Sequence, residues 1–145
     1  MNDFSKVPMT TLPPDESPTI RVIAMPADTN PNGDIFGGWL MSQMDLAGGT
    51  VASRVSQGRI VTVRVEGMSF LAPVSVGDEV SIYAKLVGIG RSSMRIDITA
   101  WRRHRAEAES VKVTEGLFIY VAIDNNRTPR ELPRETVELI GRMRS

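Results

Sequence analysis

Residues 28–49, DTNPNGDIFGGWLMSQMDLAGG, join a loop rich in turn-forming residues to the start of a long helix. Asp28 to Gly38 consists mostly of Asp, Asn, Pro and Gly, a composition typical of turns and loops. From Trp39 to about Ser56, apolar residues recur at steps of three and four, which predicts a helix; they are Leu40, Met44, Ala47, Val51 and Val55. The first N–H groups of a helix lack intrahelical partners and attract negative charge. The junction therefore predicts a site for an anion or a developing oxyanion.

Asp45 is the only carboxylate of this predicted helix. On a helical wheel it shares a stripe with small or apolar residues, namely Met41, Gly48, Gly49 and Ala52. A glycine within a helix costs about 1 kcal/mol relative to alanine, so two in a row indicate that another segment or a ligand approaches closely. Spacing alone leaves two interpretations of Asp45. It faces water beside Ser42 and Gln43, or it lies in a cleft as a base or nucleophile.

After Gln57-Gly58, a predicted helix end, the apolar period changes from 3.6 to 2. Residues 59–70 are predicted to form a strand with Val61, Val63 and Val65 on one face and Thr62, Arg64 and Glu66 on the other. Gly67 within that strand indicates a bulge or a closely passing ligand.

Four further strands are predicted. Residues 20–25 are a short apolar run ended by Pro26, and residues 80–86, 94–100 and 113–123 show apolar alternation. Residues 102–110 are predicted to form a charged connection, and residues 135–142 a short helix that uses Val137, Ile140 and Met143. One long helix followed by successive strands with short turns predicts an α+β domain, in which an antiparallel sheet carries the helix on one face.

Composition narrows the possible functions. The chain has 145 residues, enough for one domain with a core. Seventeen basic residues balance seventeen acidic ones, which argues against nucleic acid as a main partner. There is no cysteine and one histidine, so thiolate sites are excluded and no metal site is expected. No apolar run reaches the length of a membrane span, and no signal-peptide core precedes the domain, so we expect a soluble cytoplasmic protein without membrane insertion.

Several runs of the sequence carry a resemblance to a known family. They are MPADTN (25–30), NGDIFGGW (32–39), MSQMD (41–45), GRIVTV (58–63), VEGMSF (65–70), PVSVGD (73–78) and FIYVAID (118–124). Together they cover roughly residues 19–133, and they resemble the hotdog-fold acyl-CoA thioesterases, most of all the short bacterial single-domain YciA-like type. The resemblance implies a hotdog fold, with an antiparallel sheet wrapped around one central helix. The hotdog domain would cover residues 19–133. Residues 1–18, rich in proline and poor in large apolar groups, are expected to form a flexible arm, and residues 134–145 a short C-terminal helix or tail.

The same resemblance implies hydrolysis of acyl-CoA to a fatty acid and free CoA, with no cofactor because CoA is part of the substrate. It assigns the catalytic carboxylate to Asp45, as general base on water or as nucleophile. The N–H groups of Gly37 and Gly38 are suited to polarise the thioester carbonyl, although both glycines also suit a simple turn. Asn30 matches a loop asparagine that orients water or substrate; the alternative is a turn former, with Asn32 as a substitute.

Residues for the CoA half are expected around polar turns and strands. Gly90, Arg91, Ser92 and Ser93 open a strand with a cation and two hydroxyls, which suits a pyrophosphate or pantetheine amides; an ordinary polar turn is the alternative. Arg59, Thr62 and Arg64 are further candidates near the nucleotide. The run Arg102 to Arg105 is a further candidate for a phosphate contact, but such a charged hairpin tip is more often simply solvated.

The resemblance also implies a homodimer as the minimal active unit, assembled as a trimer of dimers, with each site shared between subunits. Two other functions stay open. One is a non-catalytic acyl-CoA-binding or sensing module, which would bind CoA without turnover. The other is a hydratase or dehydratase, which would call on a histidine beside its acid, whereas His104 lies in the charged connection.

Overall fold

The structure, a computed structural model, describes residues 12–144, with only the backbone for residues 142–144. In chain order, the elements are β1 (Ile20–Ile23), a 3-10 turn (Pro26–Asp28), α1 (Gly37–Ser56), β2 (Ile60–Phe70), β3 (Glu79–Ile89), β4 (Ser93–Arg103), β5 (Ser110–Ala122) and α2 (Arg134–Arg144). Residues 12–18 contain no helix or strand, and the rest of the predicted arm lies outside the described residues.

The five strands form one antiparallel sheet in the order β1-β3-β4-β5-β2, and α1 packs on one face of it. The core lies between the helix and this face and includes Met44, Ile82, Ile96, Ile98 and Phe118. The predicted α+β class and the central-helix arrangement of the hotdog fold are confirmed. Strand β2 lies at one edge of the sheet and is 11 residues long.

Helix α1 follows the predicted apolar spacing, because Leu40, Met44 and Ala47 are buried against the sheet. It begins after Phe36, whose side chain makes no capping hydrogen bond. It ends at Ser56, and the residue that adopts the left-handed conformation is Gln57, with φ of 56°. Gln57 rather than glycine therefore makes the turn that the sequence predicted at this point.

The predicted alternation of β2 is wrong because two bulges interrupt its pairing with β5. The register skips between Thr62 and Arg64 and again between Glu66 and Ser69. Thr62 pairs with Tyr120 and Val65 with Phe118, so these two residues, three apart, both face the helix. Val63, at the first bulge, is 54% exposed. The second bulge contains Gly67 at φ of 63°, which confirms the bulge predicted there.

The charged connection is shorter than the sequence predicted. Strand β4 continues through Arg103, and β5 begins at Ser110. Arg103 pairs with Glu79 of the neighbouring strand at 3.3 Å and donates to the carbonyl of Glu107 at 2.8 Å. These bonds hold Arg103 at the end of the sheet and at the hairpin, so this residue of the run is not merely solvated, whereas Arg105 is exposed.

Helix α2 extends slightly beyond the predicted limits of 135 and 142. Its Val137 and Leu139 are 39% and 53% exposed, so Val137 does not provide the predicted packing face. The side chain of Met143 lies outside the described residues. No helix within residues 12–144 is both long and apolar enough to cross a membrane.

Candidate active site

Asp45 lies midway along α1, half-buried at a groove between the helix and strands β2 and β5. The groove has a volume of about 540 Å³, and its lining also includes Leu46, Gly49, Thr50, Ser53, Ile60, Thr62 and Tyr120. Leu46 beside it is 60% exposed. Of the two interpretations left open by the sequence, the structure supports the carboxylate in a cleft.

Two hydroxyl groups donate to the same oxygen of this carboxylate. The Oγ1 of Thr62 lies 2.6 Å from Asp45 Oδ1, and the hydroxyl of Tyr120 lies 3.0 Å from that atom. The Tyr120 hydroxyl is also 3.1 Å from the backbone carbonyl oxygen of Asp45. Within residues 12–141, no side chain or backbone group donates to Oδ2. One carboxylate oxygen is therefore held by two protein hydroxyls, and the other is left without a donor among the described residues.

The glycine at position 48 makes this contact possible. A Cβ at Gly48 would overlap the Tyr120 hydroxyl and would lie 2.6 Å from Cδ1 of Ile98. At Gly49, a Cβ would meet only Cδ1 of Ile60, at an ordinary 3.7 Å. The close approach predicted from the glycine pair therefore occurs at Gly48, and the approaching group is Tyr120.

Tyr120 is fully buried, and its environment keeps it protonated. Burial, followed by the negative charge of Asp45 and the hydrogen bond to it, raises the pKa of Tyr120 well above its ordinary value of 10.0. A phenol that keeps its proton remains a hydrogen-bond donor. Tyr120 thus serves Asp45 as a constant donor across the physiological pH range.

Asn30 organises the loop before the helix. Its Oδ1 accepts from the backbone N–H groups of Asn32 at 2.9 Å and Asp34 at 3.1 Å. Its own N–H donates to the Asp34 carbonyl at 2.7 Å. Within one chain, Asn30 therefore acts as the turn former, because its side-chain oxygen accepts the two N–H groups of the turn. Its side-chain NH₂ group is the part suited to a ligand. Asn32 and Asp34 take part in the same turn through their backbones.

The N–H groups of Gly37 and Gly38 do not donate to any backbone carbonyl of the described residues. They lie at the start of α1, and Gly37 lines a second, separate cavity of about 420 Å³ beneath Phe70. Eight residues separate Gly37 from Asp45, a rise of about 12 Å along a helix. One chain therefore does not bring the predicted oxyanion donors and the predicted base to a common point.

The candidate CoA residues fall into two groups. The backbone carbonyl of Ser92 accepts from the N–H of Ala122, and that of Arg59 accepts from the N–H of Ile123. Ser92 and Arg59 therefore both lie at one end of the sheet, near the Ile60 end of the groove. Arg91 is exposed there and pairs with Glu131 at 2.7 Å, while Gly90 and Ser93 close the turn. Arg64 instead pairs with Glu66 on the other face of β2 from Thr62.

Asp45 and Thr62 were both predicted as site residues from the sequence. Thr62 was predicted to lie near the nucleotide of CoA, whereas in the structure its hydroxyl contacts the carboxylate of Asp45. Tyr120 was not identified, because an aromatic residue in an alternating strand is an ordinary core residue. The signal that could have found it is the glycine pair, which requires a partner close to the helix.

Comparison with known proteins agrees with this fold. A family model described as the thioesterase superfamily matches residues 32–109. YciA of Escherichia coli K12, an acyl-CoA thioester hydrolase, is 55% identical over 119 residues, which cover 80% of this chain and 90% of YciA. An uncharacterized acyl-CoA thioester hydrolase of Zymomonas mobilis is 53% identical over 122 residues, which cover 84% of this chain and 82% of the relative.

Solved structures agree as well. A hexameric thioesterase from Yersinia pestis is 52% identical with a TM-score of 0.78, over 83% of this chain and 98% of that one. A hexameric broad-specificity acyl-coenzyme A thioesterase is 44% identical with a TM-score of 0.82, over 91% and 92% of the two chains. The chain belongs to the thioesterase superfamily. Within that superfamily it is a hotdog-fold protein of the YciA-like acyl-CoA thioesterase type.

Proposed function

We propose that this protein hydrolyses the thioester of acyl-CoA and that Asp45 is its catalytic carboxylate. The observation that carries the proposal is that Asp45 lines a groove, with its Oδ1 held by Thr62 and Tyr120 and with no donor to Oδ2 among the described residues. Relatives of similar length, 53% and 55% identical to this chain, carry the name acyl-CoA thioester hydrolase. No cofactor is part of the proposal, since CoA enters with the substrate.

The chemistry requires Asp45 to act in one of two ways. As a base, it takes a proton from water while the water oxygen forms a bond to the carbonyl carbon. The tetrahedral intermediate then collapses, the C–S bond breaks, and the proton passes to the thiolate of CoA. As a nucleophile, Asp45 forms an anhydride as the thiolate leaves, and water then cleaves the anhydride to release the acid. In both cases, N–H groups near the carbonyl oxygen stabilise its negative charge.

We further propose that the functional unit is a homodimer, assembled as a trimer of dimers, in which each site combines groups from two chains. Gly37 and Asp45 are separated by about 12 Å within a chain, so a second copy is needed to supply N–H donors near Asp45. Among the described residues β2 is an edge strand that pairs with β5 alone, so its other side offers backbone groups for pairing, and Val63 and Phe70 on it are exposed. The relatives of known structure described above are hexameric.

For the CoA half, we propose the end of the sheet that carries Arg59 and the turn 90–93. This end adjoins the Ile60 side of the groove, so an extended substrate with its thioester at Asp45 has two cations within reach of its phosphates. Arg64, on the opposite face of β2 from the groove, is a weaker candidate for the same chain's site.

The experiment is release of free thiol from a series of acyl-CoAs of increasing chain length, with wild type and Asp45→Asn compared. Asparagine keeps an oxygen that accepts from Thr62 and Tyr120, so the local fold is retained. A general base contributes about 10²–10⁴ in rate, and we expect kcat to fall by that amount with CoA binding unchanged. Glu138→Gln, which removes an exposed carboxylate from α2, is the matched control and should behave like wild type.

The outcomes separate the candidate functions. Turnover that survives Asp45→Asn contradicts the assignment of the base but keeps the enzyme. Tight CoA binding without turnover on any chain length favours the acyl-CoA-binding module. Hydration of an unsaturated acyl-CoA without thiol release would favour the hydratase, for which the structure offers no histidine near Asp45 among the described residues.

A further inference from the structure

The Tyr120 hydroxyl lies where the side chain of helix position 48 would otherwise be. A side chain on the helix at position 48 would overlap it, and Gly48 is an interior helix residue where alanine would be about 1 kcal/mol more favourable for the helix. The Tyr120 ring packs with that of Phe118, with centroids 6.4 Å apart, and is completely buried. The ring is therefore fixed by packing, and the hydroxyl is delivered to one point beside Asp45.

That point is shared with Thr62, whose hydroxyl reaches the same oxygen from the neighbouring strand. The bulge between Thr62 and Arg64 is what turns the β2 side chains so that Thr62 and Val65 both face the helix. Thr62 and Tyr120 are paired across the two strands, so the two hydroxyls approach Asp45 Oδ1 side by side, at 2.6 and 3.0 Å. Hydroxyl donors to an ionised carboxylate make short, strong hydrogen bonds.

We propose that Tyr120 is a positioning residue for the hydrolysis, which with Thr62 fixes Asp45 Oδ1 so that Oδ2 is the oxygen that receives the proton or attacks the carbonyl. The inference rests on the proposed function. Asp45 has two side-chain torsions, and a carboxylate free to rotate presents either oxygen in many orientations. Two donors on Oδ1 remove that freedom before the substrate binds. A displacement of about 1 Å at a reacting group costs about 10²-fold in rate.

The first test is Tyr120→Phe, which removes only the hydroxyl and keeps the packed ring. We expect kcat to fall about 10²-fold while KM stays within about twofold, because substrate contacts are untouched. The double variant Asp45→Asn/Tyr120→Phe should be no slower than Asp45→Asn, because a residue that acts through Asp45 has nothing left to orient. A further loss in the double variant would mean that Tyr120 acts independently, and it would overturn the proposal.

The second test uses Thr62 and does not depend on the stability of the tyrosine variant. Thr62→Ser keeps the hydroxyl and should retain near-wild-type kcat, whereas Thr62→Val keeps the shape and should lower kcat with little change in KM. If Thr62→Val instead raises KM and leaves kcat intact, Thr62 contacts CoA, and the positioning role is wrong.

The two proposals fail in different ways. Without thiol release by wild type, the proposed function itself fails. If wild type is active and Asp45→Asn is not, but Tyr120→Phe matches wild type in kcat, the function stands and the positioning role fails. Circular dichroism and size-exclusion chromatography on each variant establish that fold and assembly are retained.

Discussion

His104 donates from Nδ1 to Oδ1 of Asp78 at 2.7 Å, at the end of the sheet opposite to the Asp45 groove. Arg102 donates to the other ring nitrogen at 2.9 Å, so the neutral imidazole carries its proton on Nδ1. Met94, near the start of β4, pairs with Tyr120 and so marks the level of the Asp45 groove. The other end of β4, beside His104, lies about 30 Å away at about 3.3 Å per residue. The single histidine of the chain is therefore part of the hairpin's structure and is remote from Asp45 of the same chain.

His104→Ala should lower stability and leave catalysis intact. The side chain of Asp78 is 4% exposed, and of its two donors within residues 12–141 it would lose His104 and keep the Ser75 N–H at 2.9 Å. An under-satisfied buried acceptor costs about 1–3 kcal/mol, which urea unfolding measures directly. Arg105→Ala, an exposed change in the same connection, should stay within about 0.5 kcal/mol. A large loss of thioesterase kcat in His104→Ala would contradict this prediction and would indicate a catalytic role for the histidine.

The elements and the carboxylate could be predicted from the sequence because they follow local rules. Apolar period and turn composition located α1 and five strands to within a few residues, and a lone Asp in an apolar helix drew attention to Asp45. The partners of that carboxylate could not be predicted in the same way. Thr62 and Val65 face the helix together because a bulge at Val63 reverses the alternation, and a bulge depends on pairing with β5. Tyr120 meets Asp45 across 75 residues of sequence.

Gly48→Ala and Gly49→Ala should have opposite effects on stability. Replacing a helical glycine gains about 0.4–1 kcal/mol from the unfolded chain when the site has room. At Gly49, the new Cβ makes an ordinary contact of 3.7 Å, so that gain should be realised. At Gly48, the Cβ overlaps the buried Tyr120 hydroxyl and crowds Ile98, and overpacking of a core costs about 1–3 kcal/mol. Thermal unfolding of both variants at equal protein concentration measures the difference, and equal midpoints would contradict the close packing of Tyr120.

Gly37→Pro tests the oxyanion donor by removing one N–H group. Proline is favoured at the first helical position, and the preceding Phe36 has φ of −59° and ψ of 135°, which suits a residue before proline. Gly37→Ala adds the same Cβ against the Phe70 ring, at 3.2 Å, but keeps the N–H group. Losing an oxyanion donor costs about 10²–10³ in kcat, so the proline variant should be slower than the alanine variant by that factor. Similar kcat values for the proline and alanine variants would mean that the N–H group of Gly37 does not act as an oxyanion donor.

Arg91→Gln should weaken binding of the CoA half without affecting the chemical step. We expect a higher KM for acyl-CoA, with kcat unchanged. The Arg91–Glu131 ion pair is 81% and 66% exposed, so its loss should have little effect on stability. Glu131→Gln breaks the same pair but keeps the cation, and its KM should stay level or fall. A rise in KM in both variants would assign the effect to the ion pair and the turn rather than to a contact between Arg91 and phosphate.

Tyr120 should make the protein sensitive to alkaline pH. Burial raises the pKa of Tyr120 in the folded protein, whereas in the unfolded chain it ionises near pH 10. Above that pH, the folded state holds a proton that the unfolded state has released, so the free energy of unfolding falls as the pH rises. The slope should exceed that of Tyr120→Phe by up to about 1.4 kcal/mol per pH unit. Urea unfolding of both proteins between pH 9 and pH 11, at one protein concentration, gives the comparison. Parallel curves would mean that the phenol ionises in place, and Asp45 would then lose its donor without the fold being lost.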